Sequence, residues 1–362
     1  MTREKLNIAI AGTGFGLKVH LPALNESDKF IANSFFHHNV KKCESIEEKT
    51  GLKCFSNWNE LITNKNIDGI IIATPPHTRF DFARKALENN KHLLLEKPVA
   101  LNSKEIEELQ RISLLKNLKV CVDFEYRAVP LFLQAKEIIE KNSLGEIYFI
   151  KLDWIMSSRS DPLREWNWYS QSNKGGGVLG ALGTHAFDLL HWLFGDSIRV
   201  SGNTYTSIKE RPVGQEMFEV DSDDICLANI EIGNNQGKVV PCQVSLSSIS
   251  RNGTGFSLEV YGKDGSLFLV SDNQKDYVHG FRLTYSNNEN IIKTIQPIDK
   301  FAFKKTWTDG RIAPVQRIQN LWGECILNNT PIIPGLSEGV KSQKVCDAIK
   351  ESSDSGFTIE IK

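Results

Sequence analysis

Short apolar runs alternate with amphipathic stretches over the first third of the chain. Such runs are typical of strands buried in a parallel sheet, and they cover residues 8–11, 31–36, 69–73, 92–96 and 120–124. The stretches between them have helical periodicity, as in 78–89 and in 103–116, where Asn102 or Ser103 can cap the helix. Alternating strands and helices predict βαβ units and a doubly wound parallel sheet of the Rossmann type.

The pattern changes after Tyr126. We expect a helix over 130–141 and a strand over 146–154, and then strand-like runs from Ser201 to Ile292 that are separated by turn residues. Helical patterns return at 314–327 and 338–352. This half predicts an α+β domain with a large, open, mostly antiparallel sheet, one face of which needs covering. The predicted domains are residues 1–125 and 126–362.

Composition narrows the class of ligand. The chain has 362 residues, which favours two domains, and its formal net charge of −1 predicts no attraction to nucleic acid or to an acidic membrane surface. Residues 1–6 are polar, and the next apolar run is too short for a signal peptide or a membrane span. The seven cysteines are dispersed without a Cys-x-x-Cys pair, which is typical of reduced thiols. We expect a cytoplasmic protein that binds a small molecule and no metal.

A glycine-rich turn follows the first predicted strand. Gly12 suits a tight turn, and Gly14 lets the backbone approach a pyrophosphate at the start of the next helix. The third glycine of the dinucleotide-binding pattern would fall at Leu17, and Gly16 precedes it by one residue. Any strand–helix turn can be rich in glycine, but a position in the first βα turn favours a nucleotide. We expect Gly12, Gly14 and Phe15 to contact the cofactor.

The end of the second predicted strand bears on the choice between NAD and NADP. An acidic residue there accepts the ribose 2′-hydroxyl of NAD, whereas cations accommodate the 2′-phosphate of NADP. The segment after Phe36 holds His37, His38, Lys41 and Lys42 and no acidic residue. A solvated turn before a helix would have the same composition. We expect His37 and His38 to contact the cofactor, with NADP favoured over NAD.

Glu96-Lys97-Pro98 stands at the carboxyl end of the fourth predicted strand. Ligands of doubly wound sheets bind at this edge, where a lysine can bond a substrate hydroxyl and stabilise developing alkoxide charge. A surface lysine at a strand end is the alternative. We expect the Lys97–Pro98 bond to be cis, an isomer that X-Pro bonds tolerate. The preceding strand ends in a rigid turn that is expected to line the nicotinamide pocket with Thr74, Pro75 and His77.

A run of three glycines at 175–177 precedes a helix predicted from Thr184 to Gly195, and the run lets the backbone approach a ligand closely. His185 and Asp188 then share one helix face. The helix dipole favours a neutral imidazole in the first turn, which suits a general base, although capping and packing are the alternative for an isolated pair. Upstream lies a polar and aromatic stretch whose residues are Arg159, Arg164, Trp166, Asn167, Trp168 and Tyr169. Such a stretch is typical of a wall that binds a sugar, and a packing loop is the alternative.

These motifs, in this order and at these separations, resemble the glucose–fructose oxidoreductase, inositol dehydrogenase and rhizopine-catabolism (Gfo/Idh/MocA) family of oxidoreductases over nearly the whole chain. The resemblance implies a Rossmann domain followed by an α/β domain whose open sheet forms subunit contacts, and hence a homodimer or homotetramer. It also implies hydride transfer between NAD or NADP and a secondary alcohol or ketone of a sugar, sugar derivative or cyclitol.

The same resemblance assigns residues. Lys97 matches the family lysine that contacts the reacting hydroxyl, and His185 matches the histidine usually assigned as proton acceptor. Glu96 and Lys97 are expected beside the cofactor, and Asp188 beside the substrate. Many family dehydrogenases carry an aspartate four residues before the histidine, where this chain has Ala181. Asp188 is one candidate for the missing partner of His185.

Three functions remain open. The first is an NAD(P)-dependent dehydrogenase or reductase that acts on a sugar or cyclitol. The second is a member that cycles its cofactor internally, in glycoside cleavage or aldose–ketose oxidoreduction, and Ala181 keeps this function open. The third is a regulator that binds dinucleotide without turnover, against which the presence of both Lys97 and His185 argues.

Overall fold

The computed structural model describes residues 5–233, 237–287 and 291–362. The chain divides into two compact units. Unit 1 comprises Met1–Glu125 and Arg311–Val340, and unit 2 comprises Tyr126–Gly310 and Lys341–Lys362. Within the described residues, no helix combines the length and the apolar character that a membrane crossing requires.

The helices and strands of the described residues have the following bounds. The helices are α1 (Leu21–Asn25), α2 (Val40–Thr50), α3 (Trp58–Thr63), α4 (Pro76–Glu88), α5 (Ser103–Leu115), α6 (Pro130–Glu140), α7 (Thr184–Phe194), α8 (Ile312–Asn328) and α9 (Leu336–Ser355). The strands are β1 (Leu6–Ala11), β2 (Phe30–Phe36), β3 (Lys53–Phe55), β4 (Gly69–Ile72), β5 (His92–Leu95), β6 (Val120–Val122), β7 (Ile147–Ile155), β8 (Asp196–Tyr205), β9 (Glu210–Val213), β10 (Glu216–Glu219), β11 (Ile225–Gly233), β12 (Val239–Ser247), β13 (Gly255–Gly262), β14 (Gly265–Ser271), β15 (Arg282–Asn287), β16 (Ile292–Ile295) and β17 (Ile359–Glu360).

Unit 1 is built on a parallel sheet with the strand order β3-β2-β1-β4-β5-β6. This confirms the predicted doubly wound sheet. All four residues of β4 are buried, as expected for a strand that is covered on both faces. The strand β3 was not predicted, because three residues are too few to show a hydrophobic period. The carboxyl ends of β1, β4, β5 and β6 therefore meet at one edge of the sheet.

The structure differs from the predicted domain division at residues 311–340, which pack within unit 1. Trp322 on α8 is fully buried, and its ring centroid lies 5.5 Å from that of Phe30 on β2. A Cβ on Gly69 of β4 would lie 2.9 Å from the same indole ring, so the glycine makes room for Trp322. Sequence order alone assigned this helix to the second domain. Its buried tryptophan instead completes the core of the first unit.

Unit 2 is built on a nine-stranded sheet with the order β16-β15-β14-β13-β7-β12-β11-β8-β17. All neighbouring strands are antiparallel except β7 and β12, which are parallel, so the predicted mostly antiparallel sheet is confirmed. One face of this sheet is buried, with Phe132 of α6 and Phe187 of α7 in the core. On the other face, Leu227 of β11 and Val239 of β12 are about half exposed.

Candidate active site

The glycine-rich turn after β1 has the geometry that a dinucleotide phosphate requires. Gly12 adopts φ +115°, and a Cβ on it would lie 2.4 Å from the carbonyl oxygen of Ala73, so only glycine fits. A Cβ on Gly14 would meet no atom within 4 Å, which leaves the backbone open on that side. Phe15 follows, and helical backbone begins at Gly16. The turn therefore fits a nicotinamide dinucleotide.

Gly16 performs the packing that was expected of a glycine at position 17. A Cβ on Gly16 would lie 2.8 Å from Cγ2 of Ile10 on β1, and close helix–strand packing is what the third glycine of the pattern provides. The backbone from Gly16 to His20 forms a π-helical turn, which accommodates the shift by one residue. Leu17 is therefore compatible with a working dinucleotide turn.

His37 and His38 follow β2 with their rings stacked, 4.6 Å apart at an angle of 25°. The Nδ1 atom of His37 accepts a hydrogen bond from the backbone N–H of Asn39 at 3.0 Å. Burial, together with the charges of His38 and Lys42, lowers the pKa of His37, so this imidazole is neutral at pH 7. Asn39 also caps α2 by accepting from the Lys42 N–H. The segment thus combines two imidazoles with the lysines at the start of α2.

The turn between β4 and α4 is rigid, as predicted. The Thr78 hydroxyl lies 3.0 Å from the Thr74 hydroxyl and donates to the carbonyl oxygen of Pro75. Pro75 is extended, with ψ 148°, and His77 is partly exposed in the first turn of α4. Thr74, Pro75 and His77 therefore lie at the carboxyl edge of the unit 1 sheet.

Arg79 of α4 braces this edge. Its side chain is 3% exposed and donates to the backbone carbonyls of Thr74, Glu96 and Pro98. Burial lowers the pKa of Arg79 to about 10, so the guanidinium keeps its charge at neutral pH. The bonds hold the turn after β4 and the turn after β5 together. The Lys97–Pro98 bond is cis, as predicted.

Glu96 is buried and bonded to His20, whose Nε2 lies 3.0 Å from Glu96 Oε1. The amide nitrogen of Gln319 on α8 donates to the His20 carbonyl and lies 3.2 Å from His20 Nδ1. Because an amide nitrogen only donates, Nδ1 accepts and Nε2 carries the proton that is donated to Glu96. Burial acts to raise the pKa of Glu96, but the His20 bond and the charges of Lys97 and Arg79 hold it below its ordinary value. Glu96 is therefore ionised and bonded to His20.

Two further carboxyl groups follow β6. Asp123 is fully buried, and neither of its oxygens has a hydrogen-bond partner among the described residues. Burial and the negative charges of Glu96 and Glu125 raise the pKa of Asp123 well above its ordinary value. Burial raises the pKa of Glu125 to about 7, although the charge of Lys97 opposes it. Lys97 therefore acts on three carboxyl groups, of which Glu96 has a lowered pKa and Asp123 and Glu125 have raised ones.

Ligand atoms of His20, Glu96 and Asp123 lie within 4.8 Å of one another, a separation that would suit a metal ion. The proton on His20 Nε2 already bonds Glu96, however, and occupies the lone pair that a metal would need. We therefore interpret His20 and Glu96 as a hydrogen-bonded pair beside Asp123.

The glycines at 175–177 pack against other parts of unit 2. A Cβ on Gly176 would lie 2.2 Å from the carbonyl oxygen of Tyr169, and one on Gly177 would lie 2.3 Å from Oδ1 of Asp223. Gly177 also adopts φ +101°. The close approach that the glycine run permits is thus an approach of the chain to itself.

His185 lies in an aromatic pocket of unit 2 and is 3% exposed. Its ring packs edge-on against Tyr126, with 4.9 Å between centroids, and lies 6.2 Å from Trp154. The helix α7 begins at Thr184 as expected, but helical backbone already runs through Leu179–Gly183. His185 therefore does not lie at a free helix N-terminus, and the dipole argument for its neutral form does not apply.

Asp188, one turn further along α7, is bonded to Arg127. The two Asp188 oxygens accept from Nε and Nη2 of Arg127 at 2.8 and 2.6 Å, and both side chains are buried. Removing one member of a buried ion pair typically costs about 3–5 kcal/mol of stability. The pair therefore fixes the face of α7 that also carries His185.

The predicted wall residues lie in one segment of unit 2. The Trp166 N–H donates to the carbonyl of Glu219, and its ring lies 5.4 Å from that of Phe218. Trp168 is half-buried, with its ring 5.9 Å from that of Tyr169. The indole of Trp166 is thus tied to the β9–β10 ribbon. Arg159 and Arg164 belong to the same segment.

Sequence reasoning missed several residues that shape these sites. Most of their contacts join positions that are far apart in the chain, so no local motif contains them. These residues are His20, Arg79, Asp123, Glu125, Arg127, Arg211 and Gln319. Four of them bond residues that the motifs had singled out: His20 bonds Glu96, Arg79 bonds Thr74, Arg127 bonds Asp188 and Arg211 bonds Arg159.

The raised pKa of Glu125 generates a stability prediction. Between pH 4.5 and 7 the folded protein holds a proton that the unfolded chain releases, so the free energy of unfolding falls as pH rises through this window. Above pH 7, ionisation of the buried Glu125 lowers the free energy of unfolding by about 3 kcal/mol. In urea denaturation at a series of pH values, Glu125→Gln should lose this decrease. Glu48→Gln, which removes an exposed carboxyl of α2, is the control, and an unchanged pH slope in Glu125→Gln would contradict the prediction.

Comparisons with known proteins agree with this architecture. Residues 6–124 match the family described as "Oxidoreductase family, NAD-binding Rossmann fold", and residues 136–361 match its "C-terminal alpha/beta domain". An uncharacterised oxidoreductase of Synechocystis is 37% identical over 97% of this chain and 95% of its own length. Glucose-6-phosphate 3-dehydrogenase of Bacillus subtilis is 25% identical over 98% of both chains.

Further similarities point the same way. Levoglucosan dehydrogenase of Pseudarthrobacter phenanthrenivorans is 27% identical over 73% of both chains. A solved structure of levoglucosan dehydrogenase with NADH superposes with a TM-score of 0.86 at 22% identity, covering 99% of this chain and 100% of that one. On the family match and the Synechocystis relative, the chain belongs to the Gfo/Idh/MocA family of oxidoreductases.

Proposed function

We propose that this protein is an NAD(P)-dependent dehydrogenase or reductase that acts on a secondary alcohol or ketone of a sugar, sugar derivative or cyclitol. The observation that carries the proposal is Lys97, which lies on the sheet edge that also holds the Gly12 turn, on a turn braced by Arg79. The names of two relatives, levoglucosan dehydrogenase and glucose-6-phosphate 3-dehydrogenase, support a sugar or sugar derivative as substrate.

The cofactor, when bound, supplies or accepts the hydride. In our assignment, Gly12, Gly14 and Phe15 hold its phosphates, His37 and His38 contact the adenosine ribose, and the nicotinamide lies against Thr74, Pro75 and His77. Glu96 lies beside the nicotinamide in this assignment, where it accepts a bond from His20 and interacts with the charge of Lys97.

Lys97 binds the reacting hydroxyl and stabilises the negative charge that develops on its oxygen. His185 accepts the hydroxyl proton in the oxidative direction. Arg159, Arg164, Trp166 and Trp168 bind the rest of the substrate. We assign Asp188 to the substrate region through Arg127, because both of its oxygens are engaged there.

Internal cycling of the cofactor is the second candidate, and Ala181 is the observation that favours it. Without a carboxylate four residues before His185, a proton taken from the substrate has no second acceptor on that helix turn. A bound cofactor that is reduced and reoxidised within one turnover needs no net proton release. Regulatory binding without turnover is the least supported alternative, since Lys97 and His185 are both present.

The outward face of the unit 2 sheet supports our proposal of a homodimer or homotetramer. Leu227 and Val239 are exposed on adjacent strands there, beside the ion pair of Arg199 and Glu231. The seven cysteines are all free and buried, which supports a reducing, cytoplasmic compartment.

Substitution of Lys97 separates catalysis from cofactor binding. Lys97→Ala should lower turnover by about two to three orders of magnitude, because it removes a donor to the developing alkoxide. NADH affinity, measured by fluorescence titration, should stay within a few-fold of the parent. Lys85→Ala on the exposed face of α4 is the matched control. A Lys97→Ala protein that keeps most of its turnover would remove this lysine from the mechanism.

His185→Ala tests proton transfer. If His185 is the base, the rate of alcohol oxidation falls as pH drops through its pKa, and the variant should lose this limb with a rate decrease of about two to four orders of magnitude. Burial lowers the pKa of His191 on the same helix to about 4, so His191→Gln should keep the limb and serves as control. A near-normal rate and profile in His185→Ala would make His185 structural.

The cofactor preference is tested at the start of α2. NADP should bind more tightly than NAD, and the Lys41→Ala, Lys42→Ala double variant should lose about tenfold or more in NADP affinity while NAD affinity changes little. Lys49→Ala, at the far end of α2, is the control. Equal or tighter binding of NAD by the parent protein at moderate salt would overturn the preference.

A further inference from the structure

Three arginines of unit 2 lie close enough to repel one another. Arg159 and Arg164 belong to the segment after β7, and Arg211 lies on β9. Burial, together with the positive charges of Arg164 and Arg211, lowers the pKa of Arg159 to about 10. Burial and the charge of Arg164 likewise lower the pKa of Arg211. The chain as a whole has a net charge of −1, so this is a local concentration of positive charge.

No carboxylate in the described ranges lies within 4.0 Å of any of these three guanidinium groups. Asp161 and Asp224 are the acids whose charges reach Arg211. The Asp224 carboxylate is already engaged, since its Oδ2 accepts the backbone N–H groups of Ser207 and Ile208. The positive charge of the cluster is therefore only partly neutralised.

Arg211 acts as the brace of this cluster. It is 5% exposed, and it donates to the carbonyl oxygens of Asp161 and Arg159, each at 2.7 Å. These bonds hold the backbone on which Arg159 lies. They also engage N–H donors of Arg211 that could otherwise bond a ligand. Arg211 thus fixes the loop that carries Arg159 and Arg164 although the three positive charges repel one another, which indicates a built arrangement.

Arg159 is the residue left available to a ligand. The Cζ atom of its guanidinium lies over the ring of Tyr169, 3.8 Å from the ring centre. Burial raises the pKa of Tyr169 to about 12, so the ring is neutral under this cation. Among the described residues, the Arg159 guanidinium has no hydrogen-bond acceptor. The Tyr169 ring covers one side of this cation, and the guanidinium donors that bond no described acceptor can bond an anion.

We propose that the substrate carries an anionic group, a phosphate or a carboxylate, which Arg159 binds with the help of Arg164. The inference rests on the proposed function and narrows it to sugars or cyclitols bearing such a group. Arg164 is exposed and donates one bond to the Ser158 carbonyl, so its remaining donors can turn to the same anion. A neutral sugar would leave the repulsion among the three arginines uncompensated.

Binding to the full-length protein saturated with NADH tests this proposal, because the bound dinucleotide then blocks its own phosphate site. The probes are inorganic phosphate, glucose 6-phosphate, glucuronate and glucose. The affinity of each is measured by titration calorimetry. At least one anionic probe should bind about tenfold or more tightly than glucose. The phosphate and glucuronate arms distinguish the two anions.

Two variants locate the binding. The double variant Arg159→Gln, Arg164→Gln should lose the preference for the anionic probe, whereas Arg199→Gln, which removes an ion-paired arginine of the same unit, should keep it. Equal binding of all probes, or an unchanged anion preference in the double variant, would overturn the proposal. Turnover of a neutral polyol without anion preference would overturn it and leave the proposed dehydrogenase function standing.

Discussion

Burial of charged side chains at the carboxyl edge of the unit 1 sheet is the constraint on which the candidate site depends. Three carboxyl groups, of Glu96, Asp123 and Glu125, are at most 9% exposed there. An unpaired buried charge costs several kcal/mol, so each carboxyl must bind a proton or a cation. Glu96 accepts a bond from His20, burial raises the pKa of Asp123, and Glu125 titrates near pH 7 beside Lys97. Lys97 thus lies near these carboxyl groups, at the edge where a hydroxyl oxygen would gain negative charge.

The same constraint organises unit 2. Asp188 is buried with Arg127, and Asp223 is buried with its Oδ2 accepting the Leu179 N–H at 2.7 Å, which anchors the helical backbone that leads to His185. Trp154, beside His185, donates its indole N–H to Gln274 at 2.6 Å. Asp188, Asp223 and the Trp154 indole are therefore committed to protein partners. A rigid pocket of this kind holds an imidazole in one orientation, which proton transfer to a bound substrate requires.

The sequence predicted what depends on local pattern and missed what depends on distant pairs. Apolar runs identified five strands of unit 1, and the glycine pattern located the turn at Gly12. Both signals are local, because the hydrophobic period and the need for a positive φ involve only neighbouring residues. The His20–Glu96 and Gln319–His20 contacts join residues 76 and 299 positions apart, so no motif contains them. Placement of residues 311–340 in unit 1 rests on Trp322 meeting Gly69, which is likewise a long-range contact. The dipole argument for His185 failed because the π-helical turn at 179–183 could not be predicted from its composition.

Net transfer of hydride to a free cofactor is the central claim, and the absorbance of reduced nicotinamide tests it most directly. Purified protein would be mixed with an excess of NAD or NADP and with a panel of neutral, phosphorylated and carboxylated sugars and cyclitols. The account predicts that one substrate class makes the absorbance grow steadily, well past one equivalent of cofactor per chain. Absorbance that stops at one equivalent while the sugar continues to be converted would show internal cycling. No change with any compound in the panel, in the oxidative or the reductive direction, would contradict the account.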